Sequence, residues 1–492
     1  MKMGNTSGVR SMEQVRARSF KKFEDPTGVK SKPTENGNTL QPFQSRPEFL
    51  KKLSIALSSK GSSEKDVSRS TFVKDLFNDN FLGHLLFSQL CFLSKLECAY
   101  EMPYEKFLDS CELALEMHTK EKIIEFYCQM FAGEDKPFDM DKLSTFIYSC
   151  YYCAINTYPN FDLDNIELDS YLTALVESIL HGKTLVSQGF VKNWIKKHIP
   201  NICVAIHTLI VDVLTTGYSK LGTATANTGM CSWDMTPCGI TPTDIPSPLK
   251  WTLYCSLPLL YSSTSSVPSK SDGSQALSTM ALAVLQTTSP FCMMDDCAPK
   301  SKIPLLFTFQ WTLLYDSDVN GLSLNRFETM CFNYRGPWVM IISSIEKQQF
   351  CVAADTGWKE SCRCWGGQGC SLMELFPHFS VVETGEEMIY FNSKFRGHPL
   401  GIMVGCEPNR PIFKVHHDFS KIEFKGIPYR LGRIQVYGCG SEEVKQNQIK
   451  QMNWERKQAH KNSTINLEKL NWDENPDKYL LDLTRSSIGN AR

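Results

Sequence analysis

The chain has 492 residues, enough for about three domains of ordinary size. Apolar residues make up 42% and charged residues 21%, the mix of a globular protein, which excludes a disordered or fibrous chain. The formal charge of −1 removes any global case for nucleic-acid binding.

That charge is unevenly placed. Residues 1–60 hold 12 Lys and Arg against 5 Asp and Glu. The N-terminus is polar and basic, without the apolar core of a secretory leader. The best candidate apolar run, Ile202 to Leu214, contains His207 and Asp212 and falls short of a membrane span. The expected location is therefore the cytoplasm or the cytosolic face of a membrane. In that compartment the 19 cysteines read as reduced thiols, most of them small apolar core residues.

Residues 1–46 are expected to be a flexible basic arm, with Val15–Phe23 able to form a basic helix on an anionic surface. If translation starts at Met3, Gly4 becomes an acceptor for myristoylation. Arg10, Arg16, Arg18, Lys21 and Lys22 then supply a second membrane signal.

Residues 47–218 have helical periodicity. Leu82, Leu85, Leu86, Leu90 and Leu93 recur at spacings of three and four; Ile123, Ile124, Tyr127 and Phe131 repeat the pattern, as do Leu172, Leu175, Val176 and Ile179. Gly133, Pro137, Pro159 and Gly182 punctuate these helices. The nearest match to a calcium loop starts at Asp162 with Asp164. Ile166 and Glu167 then stand where a ligand and the turn glycine belong, so a metal-free helix pair is expected. Cys150-x-x-Cys153 has redox or zinc spacing, but it sits among Tyr148, Tyr151 and Tyr152 with no second pair, and reads as packing.

Residues 219–300 turn rich in Ser, Thr, Pro and Gly, with a helix expected near Ala276–Thr287. Trp251–Tyr261 reads as the entry to the next domain, which sets the linker at 219–244. Beyond Ile303 the pattern is of strands: Trp338–Ser343, Phe350–Ala354, Met388–Asn392, Ile412–His416 and Ile434–Gly438. Trp311, Trp338 and Phe350 are expected in their core. Cys362, Cys364 and Cys370 cluster in a Gly-rich turn and are candidate redox-sensitive thiols. The glycines of Trp365-Gly-Gly-Gln-Gly369 lack the Lys-Ser/Thr of a phosphate loop. His416 and His417 are neighbours on a strand and point to opposite faces, which argues against one shared ion. No nucleophile elbow, zinc-protease helix or Walker sequence occurs, so neither catalytic residues nor a cofactor is expected.

Residues 441–492 are a charged C-terminal helix or tail. Val444, Ile449, Met452 and Trp454 stand out in it as candidate partner-binding anchors, because so polar a helix gains little from packing on its own domain.

The segment Trp311-Thr-Leu-Leu-Tyr315-Asp-Ser-Asp-Val-Asn-Gly321-Leu-Ser323 resembles the opening motif of the TLDc domain, the module of the oxidation-resistance proteins. Arg335-Gly-Pro337, Phe350–Trp358, Leu400-Gly401-Ile402 and the closing Gly432-Arg-Ile-Gln-Val-Tyr437-Gly438 follow in the family's order. Residues 245–440 are assigned to this domain. The Met3-Gly4-Asn5 start and the stretch Ala459–Leu483, with Trp472-Asp-Glu-Asn-Pro476, are similar to the lysosomal, mTOR-associated branch of the family. The resemblance implies an α+β chain: an all-helical, degenerate EF-hand-like domain, then a TLDc β-sandwich with flanking helices and a C-terminal helix. It also implies a non-enzymatic regulator of the vacuolar proton pump (V-ATPase) at lysosomes, with roles in TOR signalling and oxidative-stress resistance. The alternative is an enzyme, a thiol-dependent antioxidant or a hydrolase, built on residues of the same module.

Overall fold

The computed structural model describes residues 47–58, 66–96, 100–155, 169–221, 245–261, 311–405 and 410–463. The basic arm with Gly4, the acidic stretch from Asp162, residues 222–244 of the expected linker, the helix expected near Ala276–Thr287 and the tail containing Trp472 lie outside them. The architecture is α+β, with helices leading and an antiparallel sheet system following.

The helical half starts with α1 (Glu48–Ser58), α2 (Arg69–Phe77), α3 (Phe81–Leu93) and α4 (Tyr104–Leu115). Short strands β1 (Asp66–Ser68) and β2 (Glu101–Pro103) precede α2 and α4 and pair antiparallel, Val67 opposite Met102. The arrangement repeats in α5 (Lys120–Ala132), α6 (Met140–Ala154), α7 (Ser170–Leu180) and α8 (Gln188–His198), where Phe138 and Val186 form the bridge. Two helix–loop–helix pairs result, each joined loop to loop in the EF-hand manner. A calcium loop closes on a bidentate Glu in the first turn of its second helix. Here the third residues of those helices are Thr71, Lys106, Lys142 and Phe190. The loop acids go elsewhere: Asp139 caps α6 by accepting from the Lys142 N–H at 2.8 Å. The stretch from Asp162 falls between the sixth and seventh helices in sequence, outside both bridged loops.

Helix α9 (Val204–Leu221) packs against α1 and α6, and α10 (Ser247–Ser256) joins the same core. Trp251 of α10 meets Tyr151 edge-on, and the Asn201 N–H donates to the Cys255 carbonyl at 3.1 Å. The entry segment expected at Trp251–Tyr261 is therefore wedged into the helical half. Its end, Tyr261, reaches the sheet and donates its hydroxyl hydrogen to the Gly369 carbonyl. Cys150 and Cys153 are buried with Cys203 and Cys255, and burial pushes the thiols of Cys150, Cys153 and Cys255 well up, so this spacing serves packing.

The β half comprises β3 (Thr312–Asp316), β4 (Trp338–Ser344), β5 (Gln349–Ala354), β6 (Ser371–Phe376), β7 (Ser380–Thr384), β8 (Ile389–Asn392), β9 (Gly401–Val404), β10 (Phe413–Val415), β11 (Lys421–Phe424) and β12 (Ile427–Gly438). The strands run β7-β6-β5-β4-β12-β11-β10-β9-β8, with β3 also on β12. Strand β12 belongs to two sheets: residues 427–430 pair with β11, and the rest pair with β4 and β3. The change of partner falls at a bulge between Leu431 and Arg433. Gly432 sits there against the backbone of Ser343 and Ser344, where a side chain would be crowded. The sandwich is thus one sheet folded on itself around a shared strand.

Strands β4 and β5 are buried on both faces. Trp338, Met340, Ile342, Phe350 and Val352 face the second sheet, where Ile402, Val404, Phe413 and Phe424 complete the core. Val339, Ile341, Cys351 and Ala353 face the helical half. Trp338 and Phe350 occupy the expected core. Trp311 does not: it lies in the helix-facing cluster, its ring tilted against that of Tyr437 and its indole N–H donating to the Tyr261 carbonyl at 2.8 Å.

Candidate functional site

Helices α11 (Ser317–Asn320), α12 (Leu324–Cys331) and α13 (Glu442–Ser463) belong to the β half, where Phe327, Cys331 and Val444 pack with its second core, and they carry the candidate docking surface. The frame is set by Asp316, which is buried at the end of β3. Its carboxylate accepts from Arg433 Nε at 3.0 Å and Nη2 at 2.5 Å, and from Gln435 Nε2 at 3.3 Å. Burial alone would raise its pKa, but Arg433's hydrogen bonds and charge outweigh that and hold it below the usual range. Asp316 also caps α11. Opening and closing motifs are thereby locked together, a pairing signalled in sequence only by opposite charges at Asp316 and Arg433.

Helix α13 leaves β12 and lies over α12. Val444 packs on the β core, and the buried Gln448 donates to the Met330 carbonyl at 3.0 Å. Two turns further along, Asn333 donates to Glu455 at 2.9 Å. Residues 444, 448 and 452 share a face of an α-helix, and that face is the one turned inward. The four apolar residues singled out in this helix are therefore divided. Val444 holds the helix to its own domain and Met452 is half-buried, whereas Ile449 and Trp454 are 41% and 56% exposed.

The Cys362–Cys370 turn is split in the same way. Cys370 is buried with its thiol pushed up to about 12, chiefly by desolvation, and Asp355 lies beside it. Cys362 and Cys364 are partly exposed, and Cys364 Sγ contacts the Gly405 carbonyl at 3.5 Å. The N–H groups of Gly367 and Gly369 donate to the Asp355 carboxylate, so the glycine turn already holds an anion of its own. His416 is bonded to Glu423 at 2.7 Å while His417 is exposed, and the two do not converge. Among the described residues no three His, Cys, Asp or Glu side chains stand together as a metal site, and no helix is long and apolar enough to cross a membrane.

Residues 283–450 match the family model of the TLDc domain. Relatives include the restriction of telomere capping protein 5 of Candida glabrata, 25% identical over 28% of this chain and 30% of that protein. Its counterpart in Leptosphaeria maculans is 22% identical over 35% of this chain and 39% of its own length. The MTOR-associated protein MEAK7 of Homo sapiens is 26% identical over 26% of this chain and 28% of its own length. The chain thus spans well under half of each of these relatives. The ordered motifs, the shared strand and the matched residues all fall in one module, and residues 283–450 are the part of this chain that is similar to the TLDc domain.

Proposed function

We propose that the protein is a non-enzymatic regulator that docks on the vacuolar proton pump (V-ATPase) at the cytosolic face of lysosomes and acts in TOR signalling and oxidative-stress resistance. The observation that carries this reading is α13. A 22-residue polar helix is fixed at its start by Val444 and Gln448 and turns Ile449 and Trp454 outward. Exposed aromatic and aliphatic residues on an anchored helix are what a partner groove takes up. The name of the MTOR-associated relative supports the TOR connection; the pump, the lysosome and stress resistance rest on the TLDc resemblance. Myristoylation at Gly4, backed by the basic arm, would hold the protein at the membrane. The partly exposed Cys362 and Cys364 are its redox-sensitive thiols.

The enzymatic alternative has less support. A buried thiol pushed up to about 12, chiefly by desolvation, is a weaker nucleophile than an exposed one, which weighs against Cys370 as the reacting group. The test is capture from detergent-solubilised lysosomal membranes. Ile449→Ala/Trp454→Ala should lose at least tenfold in recovery of pump subunits while melting like the parent. Undiminished recovery would refute the docking role. Peroxide consumption by the pure protein, abolished by Cys362→Ser, would establish the enzyme instead.

A further inference from the structure

Strand β8 ends at Asn392 and β9 starts at Gly401. Between them run Ser393-Lys-Phe-Arg-Gly-His-Pro-Leu400, exposed without a break from Lys394 to His398. Exposed connections are ordinarily loosely held, and this one is not. The buried Asn392 donates through Nδ2 to the carbonyls of Phe395 at 3.0 Å and Pro399 at 3.1 Å. Its Oδ1 accepts from the N–H groups of Lys394 at 3.1 Å and Phe395 at 2.8 Å. Glu360 accepts from the Ser393 N–H at 2.6 Å and the Lys394 N–H at 2.8 Å, and the Tyr390 hydroxyl donates to the Pro399 carbonyl at 2.8 Å. Gly401 has φ +114°, and a β-carbon there would run into the Val415 carbonyl, so no side chain has room. The loop is pinned at both ends.

What it displays is apolar side chains among cations. Phe395 is 46% and Leu400 39% exposed, and the exposed Lys394 and Arg396 precede and follow Phe395 in the chain. The segment 361–365 runs along β8, joined by Ser361 N–H to the Phe391 carbonyl and Trp365 N–H to the Ile389 carbonyl. The exposed Arg363 lies on this segment, and the exposed Lys359 precedes it, with its Nζ 5.8 Å from the centre of the Trp365 ring. The carboxylates of Glu328 and Glu360, ion-paired with Lys394 at 3.5 and 3.7 Å, are only 17% and 15% exposed and lie beneath it. Asp418, in the neighbouring turn, accepts from the Ser420 N–H and hydroxyl. The acidic turn with Glu386 and Glu387 is at the opposite end of β8.

The amides of Ser393, Lys394 and Phe395 and the carbonyls of Phe395 and Pro399 are taken up by Glu360, Asn392 and Tyr390, so the loop offers side chains more than a continuous backbone edge for a peptide strand. Apolar tips ringed by cations suit a bilayer, where the ring enters the headgroup boundary and the cations meet lipid phosphates. We propose that residues 393–400, with Lys359 and Arg363, dock the TLDc domain on an anionic membrane surface, Phe395 and Leu400 inserting. This deepens the membrane part of the function proposed above and is independent of pump binding and of Gly4.

The test is sedimentation of the full-length, unlipidated chain with phosphatidylcholine vesicles, with and without phosphatidylserine. Arg363→Glu/Arg396→Glu leaves Lys394 to its carboxylates and should lower binding to the anionic vesicles roughly tenfold. Phe395→Ser/Leu400→Ser should lower it several-fold. Neither should shift the melting temperature, and Arg16→Gln/Arg18→Gln in the arm should leave the loop-dependent share intact. Loop variants that bind anionic vesicles like the parent overturn the proposal. Should those same variants also lose pump subunits from detergent extracts, the loop meets a protein instead. Loss of vesicle binding with full pump recovery supports the membrane contact and leaves the docking role of α13 untouched.

Discussion

The two faces of β4 and β5 are both buried, and they are buried by different chemistry. Inward, Trp338 stacks on Trp358 with ring centroids 4.0 Å apart, Phe327 meets Trp358 edge-on, and Phe350 lies against Phe413 and Phe424. Outward, the residues are smaller, Val339, Ile341, Cys351 and Ala353, and polar groups at the sheet edge set the helices in place. Phe379 and Val381, alternate residues at the β7 edge, donate their N–H groups to Ser178 Oγ at 2.8 Å and His198 Nδ1 at 2.9 Å. Gln349 accepts from the Tyr171 hydroxyl. An edge that would otherwise present open donors to another strand is closed by side chains of α7 and α8. The aromatic face specifies the domain; the polar-edged face specifies which surface of it the helical half covers.

The comparison breaks most sharply at Trp338. Trp338→Ala removes the stacked ring from a fully buried site and should cost about 3–5 kcal/mol. A denaturation midpoint unmoved by this change would mean that the stacked rings do not hold the inner face.

On the other face the expected loss is smaller. His198→Ala leaves the Val381 N–H without its acceptor, at a cost of about 1–3 kcal/mol. Amide exchange at Phe379 and Val381 should quicken while β4 amides stay protected. Equal acceleration in β4 would show that the two faces are not separable.

Acid should act on the helical side as well. Burial, and then the charge of Lys197, hold His198 down to about 4; burial does the same to His207. An unfolded histidine titrates near 6.5, so between those values the unfolded chain takes up the protons. The stability contributed by the neutral rings is complete above pH of about 6.5 and drains away as the pH falls toward 4. His198→Asn retains an acceptor for Val381 and removes one titration, so its melting temperature should fall less steeply from pH 7 to pH 5. A slope identical to the parent's would place the acid sensitivity elsewhere.

The smallest effect on folding belongs to Trp454→Ala. An exposed ring on a polar helix should leave stability within about 0.5 kcal/mol, with capture of the partner as the property that changes. A large destabilisation in calorimetry would mean that this residue packs on its own domain.

Much of this was written in spacing. The leucines of α3 and the apolar sets of α5 and α7 announced their helices, and β4, β5, β8 and the end of β12 stood out as β-branched and aromatic runs. Ser371–Phe376 did not, because Ser-Leu-Met-Glu-Leu-Phe contains no β-branched residue, and Gly401–Val404 opens on glycine. The loop-to-loop bridge of Phe138 with Val186 was also silent, since one residue on each side leaves no period to read. Trp311 looked like any other core indole; only the position of Tyr261 and Tyr437 assigns it to the helix side. In α13 the apolar residues formed a convincing set as a list, and helical geometry divided them. The loop at 393–400 left one trace, an aromatic between two cations, whose meaning depends on Asn392 and Glu360 holding it rigid.

Strand β12 has a consequence for how the protein is made. Its residues close both sheets, and its partners Leu313, Tyr315 and the whole of β4 are synthesised long before it. Pairing over such sequence distances is slow, and unfinished sheets expose edges that aggregate. During translation the aromatic half-core of β4 and β5 must wait, uncovered on one side, until residues 427–438 leave the ribosome. A chain cut short before that point loses not one strand but the junction of two sheets. Nascent-chain arrest placed just before and just after β12 would therefore separate a chaperone-bound species from a protease-resistant one.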